Sequence, residues 1–400
     1  MSTLRQQFLR HIGQTSPSPM LVEVSRSEGI YFYTPEGKRY YDLIAGVSVS
    51  NVGHCNRQVT EAICRQANDY SHVMVYGELV EKPQVSYAKR ISEHLPSPLE
   101  SVYFVNSGAE AVDGALKLAR RHTGRKKIVA CRNAYHGSTL GAMSVMCNEE
   151  FSEPYGPLVP GVSWIEYGNF DDIAKIDSET ACLLIEPVQG EAGVRIPPDG
   201  YLNALRKRCD ETGSLLIFDE IQTGFGRSGA MFAMNKFGVT PDIVCLAKAL
   251  GGGMPLGAFA ASEETMSCLS HDPALGHITT FGGHPICCAA GLAALNFIEN
   301  NHLTDSVETK ALLFKRLLSQ HPAVCEIRHC GLLMAVELGR SDRLYRIMEL
   351  FKENGILSDW FLFCDTAFRI SPPLIISEPE ITDVCKTITY CLNRLLEELP

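Results

Sequence analysis

The feature that most constrains this 400-residue chain is a run of short apolar segments alternating with amphipathic helical patterns through its middle. Ser101–Val105, Lys127–Cys131, Ala181–Ile185, Ser214–Phe218 and Asp242–Leu246 each read as strands buried on both faces. Between them, Glu110–His122 and Tyr201–Thr212 carry helical spacing. This alternation predicts an α/β fold with a mostly parallel sheet covered by helices. Ligands of such sheets sit beyond the carboxyl ends of the strands, so the residues following each strand are the ones to inspect.

The chain ends differ from the middle. Helical patterns at Leu303–Ser319, Arg343–Glu353 and Ile381–Glu397 surround short strand-like pieces at Leu332–Leu338 and Phe368–Ser371. A strand-like pair, Gly29–Tyr33 and Arg39–Asp42, flanks the turn Pro35-Glu36-Gly37. The expected division is a large domain over 55–298, with 1–54 and 299–400 together forming a smaller α+β domain.

Composition excludes some functions. A net charge of −10 without a basic stripe argues against a nucleic-acid surface. The fifteen cysteines are scattered through apolar segments with no C-x-x-C pair and no zinc spacing, so reduced thiols and no metal are expected. Met1 to Ile12 is polar, and no apolar run is long enough to span a bilayer, so a cytoplasmic protein without membrane contact is expected.

Five strand ends carry residues that packing does not readily explain. Asn106-Ser107-Gly108-Ala109-Glu110 opens a helix with small residues, where free backbone N–H groups can receive an anion; alone, such a start is more often only a cap. Tyr135, in Asn133-Ala134-Tyr135-His136-Gly137, can stack on a flat cofactor, though aromatics are often simply core. Glu186 and Glu191 stand in a Gly-containing loop, which could equally be a solvated turn for either one singly. Asp219 directly follows Leu-Leu-Ile-Phe, and a buried acid there requires a cation such as a protonated pyridine nitrogen. Lys248 lies between Leu246-Ala247 and Ala249-Leu250, where its charged form is disfavoured and its amine becomes a nucleophile. A lone lysine at a strand end usually just snorkels, but Gly251-Gly252-Gly253 lets the following backbone bend around a ligand. A phosphate cradle, a stacking aromatic, a buried acid and an apolar lysine are together the parts of a pyridoxal-phosphate site.

With these residues in view, the chain resembles the class III (ω-)aminotransferases of the fold type I pyridoxal-phosphate enzymes, most closely the acetylornithine and ornithine aminotransferases. The resemblance runs from Gly29-Ile30-Tyr31 to Phe368-Arg369-Ile370-Ser371-Pro372-Pro373 and is strongest over Glu186–Val194, Asp219–Gly229 and Leu246–Gly257. It implies a seven-stranded, mostly parallel sheet and a homodimer with the site at its interface. It also implies that Lys248 holds pyridoxal 5′-phosphate as a Schiff base and shuttles the proton, and that Asp219 pairs with the pyridinium. Gln222 would bond the ring hydroxyl and Tyr135 stack on the ring. Ser107, Gly108 and Ala109 would hold the phosphate, joined by Thr280 from across the interface. Arg369 matches the arginine that grips the α-carboxylate of 2-oxoglutarate or glutamate, and Glu191 the carboxylate that covers it when an ω-amino donor is bound.

Two departures bear on the donor. Ser138 stands where an arginine usually follows the His-Gly pair, and Val47 where the ornithine enzymes place a tyrosine. The expected reaction is transfer of the ω-amino group of an ornithine- or acetylornithine-like donor to 2-oxoglutarate. The less polar pocket leaves 4-aminobutyrate-like, diamine or diaminopelargonate-type donors as the alternative, and a decarboxylase or aminomutase on the same cofactor as a further one. A dinucleotide oxidoreductase is disfavoured, since no G-x-G-x-x-G follows an early strand. A non-catalytic binding protein is disfavoured too, because every expected catalytic position holds a competent residue.

Overall fold

A computed structural model describes residues 3–399. Fifteen strands are assigned: β1 Arg26–Glu28, β2 Tyr31–Tyr33, β3 Arg39–Asp42, β4 Ser101–Val105, β5 Lys127–Cys131, β6 Val162–Ile165, β7 Thr180–Ile185, β8 Leu215–Asp219, β9 Ile243–Leu246, β10 Gly257–Ala261, β11 Glu326–Cys330, β12 Leu333–Glu337, β13 Ile356–Leu357, β14 Trp360–Phe361 and β15 Cys364–Ile370. Seven form the central sheet in the order β4-β10-β9-β8-β7-β5-β6. β5 through β9 pair parallel, and β10 runs antiparallel to both β4 and β9, so six of the seven strands point one way. Every residue of β7, β9 and β10 is buried, as expected of a sheet covered on both faces. The seven-stranded, mostly parallel sheet is the one that the resemblance implies, and smaller sheets stand beside it.

The helix Gly108–Thr123 packs a face of small residues, including Ala111, Gly114 and Ala115, on the sheet. A methyl group at Gly114 would run into the Phe259 ring of β10, so glycine there sets how closely helix and sheet approach. Parallel strands bring the carboxyl ends of β4, β5, β7, β8 and β9 to one edge. That edge is where the site forms.

Two four-stranded sheets stand beside the large one. One, β1-β2-β3-β13, joins both chain ends, since β13 pairs parallel with β3 through Tyr41 and Asp42. The other is antiparallel, in the order β11-β12-β15-β14, and carries Arg369 on β15 opposite Ala335.

The structure departs from sequence expectation in particular places. The central strands expected from the residues alone were five, and β6 and β10 were not among them. β10 reads Gly-Ala-Phe-Ala-Ala, with few β-branched residues to announce a strand. The long helical pattern expected over 303–319 is broken into a single turn, Leu303–Ser306, and a helix, Val307–Leu318. All fifteen cysteines are free and nine are buried.

Candidate functional site

The five strand ends close around a cavity of about 560 Å³. Of the residues singled out from sequence, Ser107, Gly108, Ala109, Tyr135, Ser138, Glu191, Asp219, Gln222 and Lys248 line it. Arg369 lies behind Glu191, bonded to it. Val47 does not reach the cavity. It sits in a left-handed stretch (φ 61°) that brings Val49 to the wall instead. Thr280 is exposed on the chain surface, its carbonyl bonded by His72 Nε2 at 2.8 Å.

The helix after β4 opens into the cavity. Ser107 is its N-cap, and its Oγ accepts from Glu110 N at 3.2 Å. The next N–H groups, of Gly108 and Ala109, belong to the first helical turn and have no intrahelical acceptor. Small residues are needed around them. A Cβ on Gly108 would lie 2.9 Å from Ile221 Cδ1, and one on Gly137 2.5 Å from Ala109 Cβ.

Opposite this helix start stands Asp219, at the end of β8 and buried. Its Oδ2 meets His136 Nδ1 at 2.7 Å, and its Oδ1 accepts from Ile221 N at 3.0 Å. The His136 Nε2 atom is buried without a hydrogen-bond partner. Glu186 accepts from Tyr135 N at 3.2 Å and Gly190 N at 3.1 Å. Burial, together with the nearby Asp219 charge, pushes its carboxyl up to about 7. Glu186, beside the buried Asp219, is thus a carboxyl whose proton is held to near neutral pH.

Lys248 follows β9 in a left-handed backbone conformation (φ 54°), which an L side chain occupies at a cost of about 1–3 kcal/mol. Burial lowers its pKa, and Arg369 adds to the effect, although Glu191, Asp219 and Glu186 pull the other way. The lysine is thus biased towards the neutral, nucleophilic amine.

Glu191 ties the cavity to the small antiparallel sheet. Its Oε1 is 2.8 Å from Arg369 Nη2 and accepts from Gln222 Nε2 at 3.3 Å, while Oε2 accepts from Leu362 N at 3.2 Å. Arg369 is fully buried, lies 4.4 Å from the centre of the Phe361 ring, and bonds Asp359 Oδ1 through Nε at 2.7 Å. Its Nη1 has no partner. Burial raises the Glu191 carboxyl, but Arg369 and Lys248 outweigh this and hold it below the usual range, so the pair is ionised.

Sequence reasoning assigned no role to His136, Asp359 or Val49. His136 was legible as part of Tyr135-His136-Gly137, since a histidine in a strand-end loop can reach the acid of a neighbouring strand. Asp359 left no local signal. It meets Arg369 only because β14 and β15 pair, with Trp360 opposite Phe368.

Comparison with known proteins points one way. A family model described as aminotransferase class-III matches residues 12–392. The acetylornithine aminotransferase of Methanopyrus kandleri is 43% identical over 358 residues, spanning 88% of this chain and 90% of that protein. The ornithine aminotransferase structure from Toxoplasma gondii, described with partial occupancy of pyridoxal phosphate at its active site, superimposes with a TM-score of 0.91 at 32% identity, over 98% of this chain and 94% of that one. The acetylornithine aminotransferase structure from Elizabethkingia anophelis superimposes with a TM-score of 0.85 at 31% identity, over 97% of this chain and 98% of that one.

Proposed function

The chain belongs to the class III aminotransferases, which are pyridoxal-phosphate enzymes, and from that premise we propose that it moves the ω-amino group of an acetylornithine- or ornithine-type donor to 2-oxoglutarate, giving a semialdehyde and glutamate. The observation that carries this reading is the buried Glu191–Arg369 pair at 2.8 Å beside the cavity. A one-substrate reaction has no need of an arginine that can be covered and uncovered. A reaction that alternates an ω-amine with an α-oxo acid does.

The residues fit the cofactor on their own geometry. The helix start at Ser107–Ala109 gives a phosphate free N–H groups in a cradle that added side chains would fill. Asp219 is a buried acid held in place by His136 and Ile221 N, suited to a pyridinium nitrogen. A side chain at Gly190 would overlap the Gln222 carboxamide, so glycine there keeps Gln222 free to bond a ring hydroxyl. Tyr135, partly exposed and bonded to Ser138 Oγ at 3.2 Å, supplies a ring face. Bound pyridoxal phosphate supplies the electron sink for bond breaking at the donor carbon.

In this reading Lys248 holds the cofactor through Nζ. Its free amine would take the proton from the donor carbon and hold it at Nζ for return, a role that its lowered pKa suits. Glu191 neutralises Arg369 while the ω-amine reacts. When a 2-oxo diacid arrives, Glu191 swings away and Arg369 grips the α-carboxylate through Nη1 and Nη2, with Nε staying on Asp359. Asp359 keeps the guanidinium aimed during the exchange.

A second reading has a specific observation behind it. Ser138 carries no charge and Val49 lines the wall, so the donor side lacks a cation for a distal carboxylate. The less polar wall keeps 4-aminobutyrate-like, diamine or diaminopelargonate-type donors as the alternative, and among them a diamine is the one that needs no cation at its far end. The proposal further includes a cytoplasmic homodimer in which Thr280 completes the phosphate site of the neighbouring subunit, and a large domain over 55–298 with the chain ends as the smaller one. The exposure of Thr280 supports the first. Among the described residues, no helix is long and apolar enough to cross a membrane.

The test is product stoichiometry. One glutamate formed for each 2-oxoglutarate and each amine consumed supports transamination. Release of carbon dioxide, or rearranged amine without glutamate, overturns it.

A further inference from the structure

Far from the catalytic cavity, the other end of the helix Gly108–Thr123 reaches a second pocket of about 480 Å³ whose walls are basic. Five of its lining residues are Lys117, Arg120, Arg121, Arg125 and Lys126, and no acid lines it. This is unexpected in a chain with 46 acidic and 36 basic residues. Among the described residues, none of the five takes part in an ion pair, whereas the adjacent Lys127 meets Asp177 at 2.6 Å.

Local structure accounts for the positions of these cations but not for their charge. Arg120 donates to Pro160 O at 2.9 Å, and Arg121 to His271 O. Arg125 Nη1 donates to the carbonyls of Thr180, Thr212 and Gly213, each at 3.0 Å. Those acceptors are neutral. Arg120 and Arg121 also sit in the last helical turn, but a helix terminus offsets only about half an elementary charge. Most of the positive charge is left uncompensated, and like charges held together cost stability unless something meets them.

Donors are left over as well. Lys117 Nζ lies 2.9 Å from His277 Nδ1. An ammonium only donates, so Nδ1 accepts and the imidazole proton is on Nε2. That Nε2 atom is buried without a partner, and so is Arg120 Nε.

We propose that this pocket binds a small phosphate-bearing polyanion, a di- or triphosphate, through Lys117, Arg121 and Lys126, with Arg120 and Arg125 supplying the surrounding field. Guanidinium forks match phosphate oxygens, and five unpaired cations match the charge of two or three linked phosphates better than that of one. The pocket is also too large for a single phosphate. Its helix begins at Ser107 in the catalytic cavity and spans about 24 Å to the basic end, so the two sites share one rigid element. This inference does not depend on which donor the enzyme uses.

The test is calorimetric titration of the pyridoxal-phosphate-saturated holoenzyme with inorganic pyrophosphate, and separately with ATP, at low ionic strength. Saturating the cofactor first prevents the probe from entering the Ser107–Ala109 cradle. Saturable binding is expected, weakening with added salt and falling about tenfold in R121Q and in K126Q. Lys126 is exposed and makes no hydrogen bond, so K126Q tests charge without disturbing the fold. K207Q, on an exposed lysine elsewhere, should bind as wild type does. Tighter binding of ATP assigns the site to a nucleotide, and equal binding to a free polyphosphate. Absence of saturable binding, or wild-type affinity in both R121Q and K126Q, overturns the proposal.

Discussion

Glu191 Oε1 and Arg369 Nη2 lie 2.8 Å apart, both side chains buried, between the catalytic cavity and the small antiparallel sheet. Neither residue is held by the other alone. Glu191 also accepts from Gln222 and from Leu362 N, and Arg369 also bonds Asp359. The pair can therefore open without stranding either charge, which a simple buried salt bridge could not do.

E191A should leave Arg369 permanently uncovered. Reaction with α-amino donors is expected to improve about tenfold relative to ω-amino donors, since their carboxylate no longer competes with Glu191. Steady-state kinetics with glutamate and an ω-amine as alternative donors check this. Unchanged donor preference would sink the covering role.

R369K keeps the charge and loses the planar fork. The half-reaction with 2-oxoglutarate should slow by about a hundredfold, while the half-reaction with the ω-amine changes little. Rapid mixing with each substrate separately resolves the two. Equal losses in both would mean that Arg369 is structural.

S138R restores a cation at the mouth of the cavity. The KM for a donor with a free carboxylate, such as N-acetylornithine, should fall, and that for a diamine should rise through like-charge repulsion. If neither KM moves, Ser138 is not in the donor's path.

Glu186 makes stability depend on pH. Its carboxyl is raised from 4.5 to about 7 by burial, so the folded state holds a proton that the unfolded state releases. The contribution of this group to stability is thus favourable at low pH and is lost as pH rises from about 4.5 to about 7. E186Q removes the titration, although it gives up one acceptor for the backbone N–H groups of Tyr135 and Gly190. Its urea midpoint relative to wild type should rise across that window and stay flat above it. A difference independent of pH would contradict the assignment.

Much of the site was legible because parallel strands deliver their chemistry to one edge. Ser107, Tyr135, Glu191, Asp219 and Lys248 could each be found by looking just past an apolar run. What escaped depends on tertiary pairing. Asp359 reaches Arg369 across two strands, and β10 is a strand because β4 and β9 enclose it, not because Gly-Ala-Phe-Ala-Ala favours one. Val47 and Val49 changed places because the left-handed backbone at Ala45–Ser48 turns the chain in a way side-chain identities do not encode.

The most direct test of the account is an absorbance titration of the purified holoenzyme with N-acetylornithine, ornithine, 4-aminobutyrate and diaminopelargonate in turn. The account predicts a visible band from cofactor bound at Lys248, bleached by an ω-amino donor and restored by 2-oxoglutarate. A protein that shows no such band with pyridoxal phosphate added, or a band that no amine bleaches, would contradict it.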